Sequence, residues 1–244
     1  SSGANGHRQT AFPGMIGNPV NLRDIEQGLD QMSRLQSVDA DMKIAAGSEQ
    51  GASVLQVNRQ TKRPWTGSLY MDNLGSASTG EYQTRLSFSA DDLFGINDQW
   101  NISVQRSMED HPANFGDDRP HGTTFTFGGS IPYGRWTFSY NQSSNEYNST
   151  VPAALGPIDT SGRSGTRNLS VNYLLHRDQV SKTNLTGSLT QKDNKSFILG
   201  TLVRPSSRKL TVANVNLSHA RQLWGGNATA SLGYSKGLTW WGAF

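Results

Sequence analysis

Residues 81–108 read EYQTRLSFSADDLFGINDQWNISVQRSM, two strand-like runs of ten residues (81–90 and 99–108) joined by the polar turn DDLFGIND. In the first run Tyr82, Leu86 and Phe88 share one face, while Gln83, Arg85, Ser87 and Ser89 share the other. The second repeats the pattern, with Trp100, Ile102 and Val104 set against Asn101, Ser103 and Gln105. Alternation with a period of two is the mark of a strand that has one apolar face and one wet face. Globular strands usually run to about 5–6 residues, whereas a tilted strand needs about 9–11 to cross a bilayer. Length and alternation together predict a transmembrane antiparallel β-barrel wall.

Composition agrees with that prediction. The 244 residues carry a formal net charge of +3 and only 34% hydrophobic side chains, and the mean hydropathy is −0.57. No run approaches the roughly 20 apolar residues of a spanning helix, which excludes helical membrane proteins but not barrels. Basic residues form no tract and do not interleave with aromatics, so nucleic acid has no support as a partner. The absence of cysteine removes disulfide scaffolds, thiolate metal sites and cysteine nucleophiles.

Residues 1–60 differ from the rest. Residues 1–7 carry no signal-peptide pattern and read as the interior of a longer precursor. The two glycines and two prolines of FPGMIGNP (12–19) predict a turn. Asn21 is then a good N-cap, with Asp24 in the first turn and Leu22, Ile25, Leu29, Met32 and Leu35 at amphipathic-helix spacing. Two alternating runs follow, 38–44 (VDADMKI) and 53–58 (SVLQVN), joined by a hairpin loop. One helix on two strands makes a small, incomplete α+β domain. From residue 61 onward the chain reads as wall, mainly β, with about nine strands at 65–72, 81–90, 99–108, 122–130, 135–143, 165–177, 182–192, 208–223 and 227–236. Their connections sort by length: DDLFGIND, IPYG, DQVS and WGG on one side, and 109–121, 144–164 and 193–207 on the other, as an up-and-down membrane barrel requires. Nine is an odd number, and an open edge in lipid leaves backbone groups without partners. The wall is therefore expected to be part of a larger barrel.

At NLRDIEQGLDQMSRL (21–35) the chain resembles the second periplasmic POTRA domain of two-partner secretion transporters, the exporters of filamentous haemagglutinin, haemolysin and contact-dependent inhibition toxins. The likeness continues through RPWTGSLYMDNLGSASTGEYQ (63–83), LSFSADDLFGIND (86–98) and LGYSKGLTWWGA (232–243), in the family's order. It implies residues 1–60 as the C-terminal part of a POTRA domain and 61–244 as the N-terminal part of a sixteen-stranded barrel. It further implies an outer membrane location in a Gram-negative bacterium, with the POTRA part in the periplasm. The implied function is export of a large secreted partner protein, recognised by its N-terminal secretion domain, without ATP. The implied partners are that exoprotein, the lipid bilayer and, during biogenesis, the barrel assembly machinery. The family's VRG[YF] pore-loop motif is not found in this sequence.

Candidate chemistry is sparse. The five histidines show no paired metal spacing. His111 and His121 share an acidic putative loop, and Asp91, Asp92 and Asp98 bracket a turn that turn chemistry accounts for. No cofactor, metal or catalytic set is expected, and the protein does not read as an enzyme. The six tryptophans lie near strand ends, as an interfacial girdle would. By parity Gln83, Arg85, Asn101, Arg135, Asn168 and Asn172 are candidate pore-lining residues. Val38, Asp39, Ala40, Asp41, Met42, Lys43 and Ile44 form a candidate edge strand able to take an extended client by β-augmentation. Three rival readings stay open: a small porin or barrel enzyme, a POTRA-barrel insertase, and a secreted all-β binding protein.

Overall fold

The computed structural model describes residues 2–15, 17–19, 21–48, 52–109, 120–154 and 156–243. Its first part holds helices α1 (Ser2–Ala11) and α2 (Leu22–Ser33) and strands β1 (Val38–Ala46) and β2 (Ser53–Thr61). Asn21 caps α2, its side chain accepting from the Arg23 N–H at 2.9 Å. The core of this module is Ala11, Phe12, Met32, Leu35 and Val38, with Met15, Ala40, Leu55 and Val57 packed against it. Ile25 is also fully buried, whereas Leu22 at the helix start faces solvent. Gly28 is needed for this packing, because a Cβ there would lie 2.1 Å from the Phe12 ring.

Helix α1 was not expected from the sequence. Two glycines, Gly3 and Gly6, lower its intrinsic propensity, and its buried apolar residue, Ala11, sits at the very end. Packing and docking hold it, not periodicity. Ala11 and the adjoining Phe12 enter the core, and the Thr10 hydroxyl donates to the Ile96 carbonyl at 3.0 Å.

The rest is one antiparallel sheet. It runs β3 (Trp65–Asp72), β4 (Tyr82–Asp91), β5 (Gln99–Met108), β6 (His121–Tyr133), β7 (Trp136–Val151), β8 (Ile158–Arg177), β9 (Ser181–Ile198), β11 (Arg208–Leu223) and β12 (Gly226–Leu238), each paired with its sequence neighbour. The two-residue β10 (Thr201–Leu202) pairs only with β9. This is an up-and-down meander with no crossover.

The registers line up one apolar row after another across the wall. Leu69 faces Leu86, Leu86 faces Val104, and Val104 faces Phe125. Farther along, Tyr140 faces Leu169 and Leu169 faces Leu189. These side chains do not meet in a dry centre: Leu69 is 62% exposed and Leu86 59%. An exposed apolar band on one parity belongs to a surface whose solvent is lipid. The opposite parity is a hydrogen-bonded polar ladder. Ser103 and Thr126 pair at 2.6 Å, Asn168 donates to Thr190 at 2.7 Å, and Asn172 donates to Thr186 at 2.8 Å.

The connections differ in one respect from expectation. Most of 144–164 and 193–207 is not loop but continued strand, which makes β7, β8 and β9 16, 20 and 18 residues long. Alternation fades there because both faces of the sheet are wet beyond the membrane, so the sequence loses its strand signature while the ladder continues. Residues 110–119, including His111, lie outside the described residues. Trp65, Trp100 and Trp136 start strands at the module end and Trp224 sits in the β11–β12 turn there, while Trp240 and Trp241 lie at the far end. Trp136 stacks on Tyr173 with ring centroids 4.3 Å apart, and Trp100 on Phe127 at 5.8 Å.

Parity makes opposite demands on neighbouring residues. Leu86→Lys should destabilise the protein refolded in phospholipid bilayers by about 2–4 kcal/mol, whereas Ser87→Lys should change it by less than about 1 kcal/mol. Urea titration of the two variants checks this.

Candidate functional site

The small module is docked on the short turns at one end of the wall. The turn 92–98, DLFGIND, is the first dock. Its carboxylates are occupied by N–H donors: Asp91 accepts from the Ser37 N–H at 3.0 Å, and Asp92 accepts from His7 Nε2 at 2.5 Å and Arg59 Nη2 at 2.7 Å. Asp98 accepts from the Phe94 N–H at 3.1 Å and the Trp100 indole at 2.5 Å. Asn97, fully buried, donates to the His7 carbonyl and to Thr10 Oγ1. Asp98 thus serves the turn, as turn chemistry suggested; Asp91 serves the dock, which the sequence did not suggest, and Asp92, which also accepts from the Asn97 N–H, serves both.

The second dock is the β6–β7 turn. Gly134 holds a φ of 56° that favours glycine, and its N–H donates to the Thr10 carbonyl at 2.7 Å. Its carbonyl accepts from the buried Gln31 side chain at 3.1 Å. Arg135, expected on the polar wall, lies in this turn instead, and its guanidinium binds Asp24 of α2 at 2.7 Å. Hydrogen bonding to that carboxylate raises the already high pKa of Arg135, against the opposing effect of burial. Parity failed at this residue because the strand begins one position later, at Trp136.

The third dock is the β8–β9 turn. Arg177 donates from Nη1 to Asp30 and reaches Glu26 from Nε at 3.5 Å, and Lys182 binds Asp30 at 3.3 Å. Burial pulls the Asp30 pKa upward, but Arg177 and then Lys182 outweigh it, leaving it below its ordinary 3.8. Asp178 is held low by the Val180 N–H, the Ser181 hydroxyl and the Ser181 N–H, which fix the turn. Between the docks, Arg34 at the end of α2 donates to Ser130 Oγ at 2.5 Å and to the Asn97 carbonyl at 2.8 Å. Burial lowers its pKa, and Asp91 and Asp98 counter that effect. The polar face of α2 is therefore an interface.

Strand β1 pairs only with β2 among the described residues. Opposed residues Ser37 and Lys62, and Gly47 and Ala52, lie in hydrogen bonds that close the two ends of the hairpin, the Lys62 N–H to the Ser37 carbonyl at 2.7 Å and the Gly47 N–H to the Ala52 carbonyl at 2.8 Å. The period-2 ladder then turns the main-chain groups of Asp39, Asp41 and Lys43 toward β2. Those of Ala40, Met42 and Ile44 point to the open edge. The Val38 N–H is taken by the Leu35 carbonyl at 3.1 Å. Among the wall candidates, Gln83, Arg85, Asn101, Asn168 and Asn172 occupy the parity opposite the exposed apolar band. Gln105 links Arg85 to Gln83, accepting from the former and donating to the latter at 2.5 Å.

A lipid-facing antiparallel wall with a small α+β module docked over its short turns defines an outer-membrane β-barrel protein with an attached POTRA domain. The chain belongs to the haemolysin secretion/activation protein family ShlB/FhaC/HecB, whose profile matches residues 51–244, and the POTRA profile matches residues 3–46. It is 38% identical over 235 residues to the outer membrane transporter CdiB of Dickeya dadantii (strain 3937), covering 96% of this chain and 41% of that protein. It is 31% identical over 232 residues to the hemolysin transporter protein ShlB of Serratia marcescens, covering 95% and 41%. The solved structure of CdiB from Escherichia coli matches with a TM-score of 0.89 at 33% identity, over 100% of this chain and 45% of that one. The chain thus spans about two-fifths of the length of the curated relatives it matches. Family membership puts the wall in the outer membrane, the module and short turns in the periplasm, and the far ends of β7–β9 outside the cell.

Docking depends on carboxylates being ionised, and its pH dependence follows from Asp30. A docked pKa below 3.8 means that the docked state binds fewer protons, so the contact is strongest above that pH and weakens as pH falls through the lowered value. Spin labels at Lys43 and Arg221 should give one narrow distance at pH 7 and pH 5, broadening below about pH 3.8. The double change Asp24→Asn, Asp30→Asn should give the broadened distribution at neutral pH.

Proposed function

We propose that this chain is the barrel-proximal part of an outer-membrane translocation channel that exports a large partner exoprotein in the manner of two-partner secretion. The single observation that carries the reading is the placement of an open-edged module directly over the short-turn mouth of a wall whose inner parity is predominantly hydroxyl and amide. A passive pore has no use for a docked module at its mouth.

The client's N-terminal secretion domain binds in extended form along β1. Recognition runs through the outward main-chain groups of Ala40, Met42 and Ile44, with Asp39, Asp41 and Lys43 holding the strand to β2. Main-chain pairing of this kind makes little demand on client sequence. The client then passes along the wall lined by Gln83, Arg85, Asn101, Asn168 and Asn172. Hydroxyl and amide side chains already bonded to one another offer an extended polypeptide a wet surface without a deep binding well. No covalent chemistry is required, and residues 1–60 and 61–244 act as capture module and conduit.

Met42→Pro tests the capture step. It removes an edge-facing N–H without touching the β1–β2 ladder, so the hairpin stays folded. Affinity of the purified outer-membrane protein for the partner's N-terminal domain should fall about tenfold, the loss of one to two main-chain hydrogen bonds. Met42→Ala should leave it unchanged. Equal affinity of all three proteins removes the β1 site.

A further inference from the structure

Above the apolar band, the lipid-facing parity of β7, β8, β9 and β11 changes from apolar to polar and charged, with cations in excess. The last apolar row is Tyr140–Leu169–Leu189. The next lipid-facing positions outward are Arg167 and then Gly165 and Arg163 on β8, with Lys195 opposite Arg163 on β9 and Lys209 opposite Asp193 on β11. Together they line a cavity of about 250 Å³ on the outer surface of the wall. Gly165 leaves its floor open, since a Cβ there would meet nothing within 4 Å. A second cleft of about 480 Å³, lined by Leu202 and Arg204, shares Asp193, Lys195 and Lys209 with it.

The charges do not cancel. Arg163 is paired to Glu146 at 2.6 Å, and both are exposed. Among the described residues Arg167, Lys195 and Lys209 have no ion-pair partner, and Asp193 is the one carboxylate among the cavity-lining residues. Three free cations on a shelf over an apolar column are an amphipathic site. Arg163 and Arg167, four positions apart, lie about 13 Å from each other along the strand, more than a single anion occupies.

We infer that this shelf binds the phosphorylated headgroup of outer-leaflet lipopolysaccharide, with the lipid A phosphates on Arg163, Arg167, Lys195 and Lys209 and the acyl chains down the Tyr140, Leu169 and Leu189 surface. The location decides the occupant. The cations face out of the barrel, away from any passing client, and lie at the level where the outer leaflet ends and its headgroups begin. Clustered Lys and Arg at that depth attract anionic lipid headgroups.

The test measures lipid retention on the intact outer-membrane protein in detergent by native mass spectrometry. Hexa-acylated lipid A, lipid A with its phosphates removed, phosphatidylglycerol and inorganic phosphate are supplied in turn. Lipid A should be retained at least tenfold better than its dephosphorylated form and better than phosphatidylglycerol. The variant Arg163→Gln, Arg167→Gln, Lys195→Gln, Lys209→Gln should lose that preference while keeping heat-modifiable migration. Gly165→Glu, which keeps all four cations but places a carboxylate in the notch, should lose it too. Arg221→Gln, at the periplasmic rim, should not. Equal retention by the wild type and both patch variants overturns the site, as does equal retention of dephosphorylated lipid A. Competition by inorganic phosphate at the same concentration as lipid A also overturns it, because the shelf would then be a simple anion site.

Discussion

A backbone group inside hydrocarbon has no water to turn to, and that constraint orders the whole molecule. Each strand inside the wall, from β4 to β9 and β11, must pair with a neighbour on both sides, and the simplest way is to pair with the strands before and after it in the chain. The observed order does this without a crossover. Once pairing is settled in that way, parity follows: one side of every strand is in lipid, and the other faces inward. Leu86 exposed beside a bonded Ser103–Thr126 pair one strand away is the direct expression of it. The connections can then lie only at the two ends, and any non-membrane module must attach to one of them.

The module attaches through charge and backbone, not through an apolar seam. Its apolar residues are consumed in its own core, so what remains for the interface is the acidic, amide-rich face of α2 and the end of α1. Exposed ion pairs contribute little singly. Here, however, Asp24, Glu26 and Asp30 meet Arg135, Arg177 and Lys182 from two different turns, while Asn97 and Gln31 fix main-chain groups in buried positions. Such a contact is specific in geometry and modest in strength. That suits a joint which holds register and can still yield.

Much of the wall was legible in the sequence because hydrophobic parity is written residue by residue. Trp136, Phe138 and Tyr140 against Thr137, Ser139 and Asn141 allow one strand orientation only. The edge strand was legible for the same reason, though which of its main-chain groups face outward was not, since that depends on the hairpin register. What escaped detection had no apolar face to announce it. Helix α1 is held by His7, Thr10, Ala11 and the adjoining Phe12 at its end, and the outer halves of β7, β8 and β9 are largely polar. Arg135 was placed on the wall by counting through a turn that shifts the count. The basic shelf was also unrecognised, because Arg163, Arg167, Lys195 and Lys209 are far apart in sequence and only the ladder brings them together.

The four tryptophans at the module end and the cationic rows at the opposite end have a joint consequence for how the wall rides in its bilayer. Indoles prefer the interface to either water or oil, and guanidinium groups resist being drawn beneath it. Sliding the wall inward would drag Arg167 into oil; sliding it outward would pull Trp65, Trp100 and Trp136 up from their level. Vertical play is thereby confined to about one pleat, roughly 7 Å, so a pull along the barrel axis is borne by the membrane rather than answered by a bobbing barrel.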